Sequence, residues 1–176
     1  MVAAVWLATA SAATADAQGT TVQVRVEIAP APVTAAGIQP MRFGTVLPGD
    51  APDVPPGAAP PSAPTASAGW MLNGIRKGRD IELTLTLPPE LVLGAYSIPV
   101  DWDNAGYGTL CVSRGGPCLI SAMFNPAVGP VPLFIPINAA GNNFDVTVYA
   151  GARASIPPVP PGTYAASVTL TMAYVN

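Results

Sequence analysis

Hydrophobic and polar positions alternate strictly along residues 20–28 (TTVQVRVEI). Val22, Val24, Val26 and Ile28 share one face, and Thr21, Gln23, Arg25 and Glu27 the other. This period of two predicts a half-buried strand. The same pattern recurs in residues 80–87 (DIELTLTL), through Ile81, Leu83, Leu85 and Leu87, and in residues 143–150 (NFDVTVYA), through Phe144, Val146 and Val148. It returns in residues 160–176. There Tyr164, Ala166, Val168, Leu170, Met172 and Tyr174 fall on one side, and Ser167, Thr169 and Thr171 on the other. Residues 41–47 (MRFGTVL), 70–72, 95–102 (AYSIPVDW) and 119–124 are shorter strand candidates. Residues 131–137 (VPLFIPI) carry prolines and suit an edge strand better than a central one.

Punctuation separates these runs. APAPVTAAG breaks the first strand, Asn73-Gly74 predicts a turn, Pro88-Pro89 stops the strand before it, and IPPVPPG (156–162) predicts a rigid turn. Residues 48–69 are low-complexity Pro/Ala/Ser/Gly with almost no bulky side chain. They predict an exposed, partly extended loop that packs no core, serving as a spacer or a tolerated insertion. No segment longer than about eight residues combines a 3.6-residue period with caps, and residues 90–95 form at most a helical turn. Short strands at intervals of roughly 8–20 residues, joined by Pro/Gly turns, predict an all-β antiparallel sandwich.

Composition narrows the function classes. The chain has 176 residues, 50% hydrophobic and 10% charged, enough for one domain with a real core. The net charge is −3, with one lysine (Lys77) and six scattered arginines. No basic stripe exists to bind nucleic acid. No run of about 18 uncharged apolar residues lies beyond the first residues, so no transmembrane span is expected in a mature chain. Residues 1–17 (MVAAVWLATASAATADA) look like the apolar and small-residue parts of a secretory signal closing on an A-x-A pattern, without its basic start. Gln18 is the expected mature N-terminus. An ordinary strand or helix is the alternative.

Cys111 and Cys118 flank a turn-forming Arg-Gly-Gly-Pro, so their sulfurs can meet across a tight loop in an oxidising compartment. Two free buried thiols are the other reading. With no histidine in the chain, the commonest general base is missing, and a zinc site lacks its usual ligands. No nucleophile elbow, phosphate loop or metalloprotease motif occurs. Glu82 and Glu90 are the one carboxylate pair weighed as acid and base. Glu82, however, sits on the polar face of its strand, and Glu90 follows a Pro-Pro stop. Residues 101–106 (DWDNAG) offer oxygen ligands but lack the distal glutamate of a calcium loop, and read as a solvated turn. Trp70, Trp102, Tyr96 and Tyr107 serve either a sugar-stacking platform or core packing. Arg76, Lys77 and Arg79 are expected to keep a hairpin tip wet. No catalytic residue, metal or cofactor is expected, and the protein is not read as an enzyme.

Three motifs converge in order: Phe43-Gly44-Thr45-Val46; Asn73-Gly74 followed by the 81–87 strand; and Pro161-Gly162-Thr163-Tyr164 opening a strand that closes on Ala173-Tyr174. In this the chain resembles the bacterial exported pilin-like families, namely spore coat protein U-like proteins and the subunits of archaic chaperone–usher pili. It departs from them in its late cysteines and in the Pro/Ala-rich loop. The resemblance implies an immunoglobulin-like antiparallel β-sandwich that is incomplete and completed by a donor strand. Its parts are a signal peptide (1–17), an N-terminal donor strand (18–29) and a pilin-like domain (30–176) containing loop 48–69. Val22, Val24, Val26 and Ile28 are the expected donors. Tyr164, Val168, Leu170, Met172 and Tyr174 are the expected acceptor groove. The implied partners are identical subunits in a homopolymer, a periplasmic chaperone and an outer-membrane usher. The implied route is through the periplasm to a cell-surface or extracellular fibre or coat. The alternative is a monomeric secreted sandwich, closed by its own N-terminal strand, acting as a carbohydrate-binding or adhesive module.

Overall fold

A computed structural model of the chain describes residues 33–175. The expected leader (1–17) and donor residues Val22, Val24, Val26 and Ile28 lie outside the described residues. Among the described residues there is no helix. The strands in chain order are β1 (Thr34–Gln39), β2 (Arg42–Phe43), β3 (Asp53–Val54), β4 (Thr65–Ala66), β5 (Ala68–Arg76), β6 (Asp80–Thr86), β7 (Glu90–Leu93), β8 (Tyr96–Asp101), β9 (Gly108–Ser113), β10 (Ile120–Phe124), β11 (Val131–Phe134), β12 (Asn143–Ala150), β13 (Ala152–Ala154) and β14 (Thr169–Val175).

Two larger sheets carry the main core. One has the order β1-β5-β12-β9-β10, the other β11-β6-β14, and every pairing in both is antiparallel. Leu72, Ile75, Leu110, Val112, Phe144, Val146 and Val148 of the first meet Ile81, Leu83 and Leu133 of the second in one buried cluster. This is how alternating strands bury one face each. On β12, Phe144, Val146, Val148 and Ala150 are buried while the residues between them are exposed or half-buried. On β6, Ile81 and Leu83 are buried and Leu85 is half-buried. β11, with Pro132, lies at a sheet edge, where a missing N–H breaks no ladder. A third sheet, β3-β13-β8-β7, has its own smaller clusters around Val100, Trp102, Ala152, Ile98 and Ile156.

The disulfide joins Cys111 of β9 to Cys118, with Cα atoms 5.4 Å apart, across the hairpin that leads into β10. That loop is short, so its expected entropic contribution is modest, about 2–3 kcal/mol.

Several local expectations change. Asn73-Gly74 is not a turn but lies inside β5, where the register against β12 slips between Phe144 and Val146. Gly74 has φ 84°, so the pair forms a β-bulge with glycine in the left-handed region. The chain reverses instead at Lys77-Gly78, and its two arms belong to different sheets, so Arg76, Lys77 and Arg79 flank a sheet-to-sheet crossing rather than a hairpin tip. Residues 90–95 are no helical turn: β7 pairs with β8 across a two-residue connection at Gly94-Ala95. The segment read as a break after the first strand contains β1, an alanine- and glycine-rich edge strand held by its backbone ladder to β5. Only Arg42 and Phe43 of the 41–47 candidate are strand.

Loop 48–69 is more ordered than its composition indicates. It contains β3, β4 and the start of β5, and buries Val54, Ala66, Ser67 and Ala68. Ser67, 1% exposed, accepts from the Gly57 N–H (3.0 Å) and donates to the Gly57 carbonyl (2.8 Å). The Gln39 amide donates to the Ser67 carbonyl (2.7 Å) and accepts from the Ala59 N–H (2.8 Å). These bonds tie the segment to β1 and satisfy polar groups that burial would otherwise leave unpaired.

Candidate functional site: an open strand edge and its groove

Among the described residues, β14 is paired on one side only. Its ladder to β6 runs from Thr169↔Thr86 to Val175↔Asp80, and no strand pairs its other side among the described residues. Ahead of β14 the chain approaches along β7, where Ala165 and Val92 exchange two backbone hydrogen bonds of 3.1 and 3.2 Å. The period of two expected for residues 160–176 is present in β14: Leu170, Met172 and Tyr174 are half-buried, and Thr169, Thr171, Ala173 and Val175 exposed. Thr-Thr pairs Thr84↔Thr171 and Thr86↔Thr169 lie on the outer face.

Beside the start of this segment lies a groove of about 1410 Å3. Its walls come from Met41, β2 and the turn after it (Phe43, Val46), the start of β5 (Trp70), β7 and β8 (Leu91, Ile98), and residues 159–168. Small-molecule sites usually run about 300–1,000 Å3, so the groove is larger than one small ligand needs. Phe43 is brought there because Gly44, at φ 79°, turns the chain directly after β2.

The expected acceptor residues divide. Tyr164 and Val168 line the groove. Leu170, Met172 and Tyr174 instead pack along the edge of the main core, beyond the groove's lining. The Tyr174 hydroxyl is buried without a hydrogen-bond partner. The Tyr164 hydroxyl donates to the Pro160 carbonyl (2.9 Å), closing the proline-rich turn before the strand. Sequence reading missed Leu91, Ile98 and Val159 as groove residues. Their only signal was an apolar residue next to a proline or in a short run, which marks core and groove equally.

The chemistry-bearing candidates are scattered. Glu82 pairs with Ala173 and Pro132 in one sheet, and Glu90 with Pro99 in another. In residues 101–106 the side chains are used locally: Asp101 accepts from the Asp103 N–H (2.9 Å) and Asn104 from the Gly106 N–H (2.8 Å). That is turn chemistry. The four aromatics form no shared platform. Trp102, 5% exposed, donates its indole N–H to the Pro88 carbonyl (2.8 Å) and, with half-buried Trp70, lines the groove. Tyr107 is buried and Tyr96 exposed, and neither is part of the groove. Burial, then a hydrogen bond to and the charge of Asp53, raise the Tyr107 pKa.

Comparison with known proteins adds no relative. No protein-family model, curated protein or solved structure matches the chain. The site has two parts: a strand edge unpaired among the described residues and an apolar groove at the start of the segment leading into it.

Proposed function

We propose that the protein is a structural subunit of an extracellular fibre or surface coat that polymerises head to tail by donor-strand exchange. The single observation carrying this reading is the edge of β14, unpaired among the described residues, with the groove at the start of the segment that leads into it. In an immunoglobulin-like sandwich, strands A, B, E and D share one sheet and C, F and G the other. We read β1, β5, β12 and β9 as A, B, E and D, and β6 and β14 as C and F, with β10 and β11 extending the two sheets. β14 then stands as F, and the place beyond it, where G belongs, has no strand among the described residues. A free apolar edge of this kind invites strand addition.

Residues 20–28 suit the vacancy. Extended, they span about 30 Å, and Val22, Val24, Val26 and Ile28 present one apolar face to a sandwich interior. The proline-broken link after them lets the strand leave its own body. A contact of this head-to-tail kind does not close on itself and grows into a filament. On this reading the partners are further copies of the chain, with a periplasmic chaperone and an outer-membrane usher handling the open subunit before it reaches the surface. The resemblance of Phe43-Gly44-Thr45-Val46 and of the Gly162–Tyr174 terminus to spore coat protein U-like and archaic pilin sequences supports the same reading. The chemistry proposed is association, with no catalytic step.

Deleting residues 18–28 tests the reading. The shortened chain should stop polymerising, and a synthetic peptide of residues 20–28 should bind it and raise its thermal stability. A shortened chain that is destabilised, from a parent that is monomeric at high concentration, would overturn the proposal in favour of a self-closed module.

A further inference from the structure

The charged side chains of the described body are sorted by end. Strand registers put Arg76 opposite Asn143 and Ser113 opposite Asp145, so the crossing after β5 and the tip of the β9–β10 hairpin share one pole. Arg76, Lys77, Arg79 and Arg114 stand there. Lys77 donates to the Ala139 carbonyl (3.3 Å) and Arg114 to the Ala140 carbonyl (2.9 Å), so both cations converge on one short loop. Asp80, Asp145 and, two residues along β6, Glu82 are the acids nearest that pole among the described residues, so the four cations there exceed the acids by one. The opposite pole is where β12 ends at Ala150↔Gly108 and β14 begins at Thr169↔Thr86. Asp50, Asp53, Glu90, Asp101 and Asp103 gather on that side, all exposed. Asn125, directly after β10, donates to Asp103 (2.5 Å) and fixes it there. Arg153, between Asp53 and Asp101 in the register, offsets one of these charges, and Arg42 is the other cation on this side.

Chain direction links the poles to assembly. β14 runs from the acidic pole, at Thr169, to the cationic pole, at Val175 opposite Asp80. A strand added antiparallel to the edge of β14 leaves it at the acidic pole. Residues 29–33 separate Ile28 from the start of β1, spanning roughly 20 Å at most. β1 starts at Thr34↔Asn73, close to the cationic pole. Antiparallel insertion therefore brings the cationic pole of the donating copy onto the acidic pole of the receiving one. Parallel insertion would press two cationic poles together.

We propose that successive copies of this chain meet pole to pole, Arg76, Lys77, Arg79 and Arg114 of one facing Asp101, Asp103 and their neighbours on the next, and that this charge pairing selects antiparallel insertion and speeds growth. The proposal rests on the strand exchange put forward above. Complementary surfaces of this kind act chiefly on association rate and orientation, and salt weakens them.

The test follows growth of the full-length chain after release from denaturant, by light scattering and electron microscopy, at about 20 mM and about 500 mM salt. Growth of the unmodified chain should slow about tenfold at the higher salt. Reversing the cationic pole (Arg76→Glu, Lys77→Glu, Arg79→Glu) or the acidic one (Asp101→Lys, Asp103→Lys) should slow growth about as much at low salt. Mixing the two variants should restore it, because each then offers the pole the other lacks. The milder pair Arg79→Gln and Asp103→Asn should show the same trend if a reversal disturbs folding. Salt-independent growth of the unmodified chain, or reversals without effect, would overturn the pole contact. Excess peptide of residues 20–28 should cap the groove and stop growth in every variant. Growth that continues despite the peptide would instead refute strand exchange itself.

Discussion

Tyr107 carries the clearest electrostatic signature of a single residue. It is buried with its hydroxyl beside Asp53, and both burial and that carboxylate raise its pKa above the usual tyrosine value of 10.0. The neutral phenol is the form the fold favours. In the unfolded chain the group ionises near its usual value, so its stabilising contribution is complete below about pH 10 and is lost as the pH climbs through the higher folded value. A spectrophotometric titration should show a late phenolic component that is lost in Tyr107→Phe, and the variant should lose stability less steeply in alkali. Identical titration curves for the two proteins would count against this environment. Nothing in the pattern around Tyr107 marks it, since its surroundings come from β3 and β13, distant in sequence. Ser67 makes the same point. In a run of alanine, proline and serine it looks like any loop hydroxyl, and only the fold makes it the buried partner of Gly57.

Elements were legible in the sequence where one face meets core and the other solvent. β6, β12 and β14 have this arrangement, and their period of two survives in the chain. β1 and β7 lack it, and β3 and β13, though they alternate, are only two and three residues long. They are short or built from small, polar or exposed residues, and backbone ladders hold them, which leave no mark on side-chain order. Asn73-Gly74 shows a different limit. The dipeptide correctly signals a left-handed glycine, but turns and bulges both use one, and the neighbouring strand β12 decides which forms. Gly74→Ala should cost about 1–2 kcal/mol, the price of a side chain in that region, read as a lower urea midpoint at unchanged slope. An unchanged midpoint would mean that Gly74 is not held at positive φ.

At the scale of the whole molecule, the proposed donor strand separates assembly from folding. Val24→Asp combined with Val26→Asp puts charge on the face that must enter a partner's interior, where burying an unpaired carboxylate is costly. Fibre growth should be abolished, while the stability of the sandwich body, read from its urea midpoint, stays within about 0.5 kcal/mol of that of the unassembled parent. A large loss of stability would instead place the strand in its own body. The amino-acid order by itself determined the all-β class, the inward faces of the long strands and the one possible disulfide pair. Each follows from a local rule: burial of one face imposes a period of two, and two cysteines admit a single bridge. Only the tertiary structure decided that β14 is an edge among the described residues, that residues from β2, β5, β7 and β8 wall one groove, and that most cations and most acids lie toward opposite ends. Those outcomes depend on which distant segments share hydrogen-bond ladders. Such pairing is settled by the energy of the assembled sheets, and no short stretch of sequence contains it.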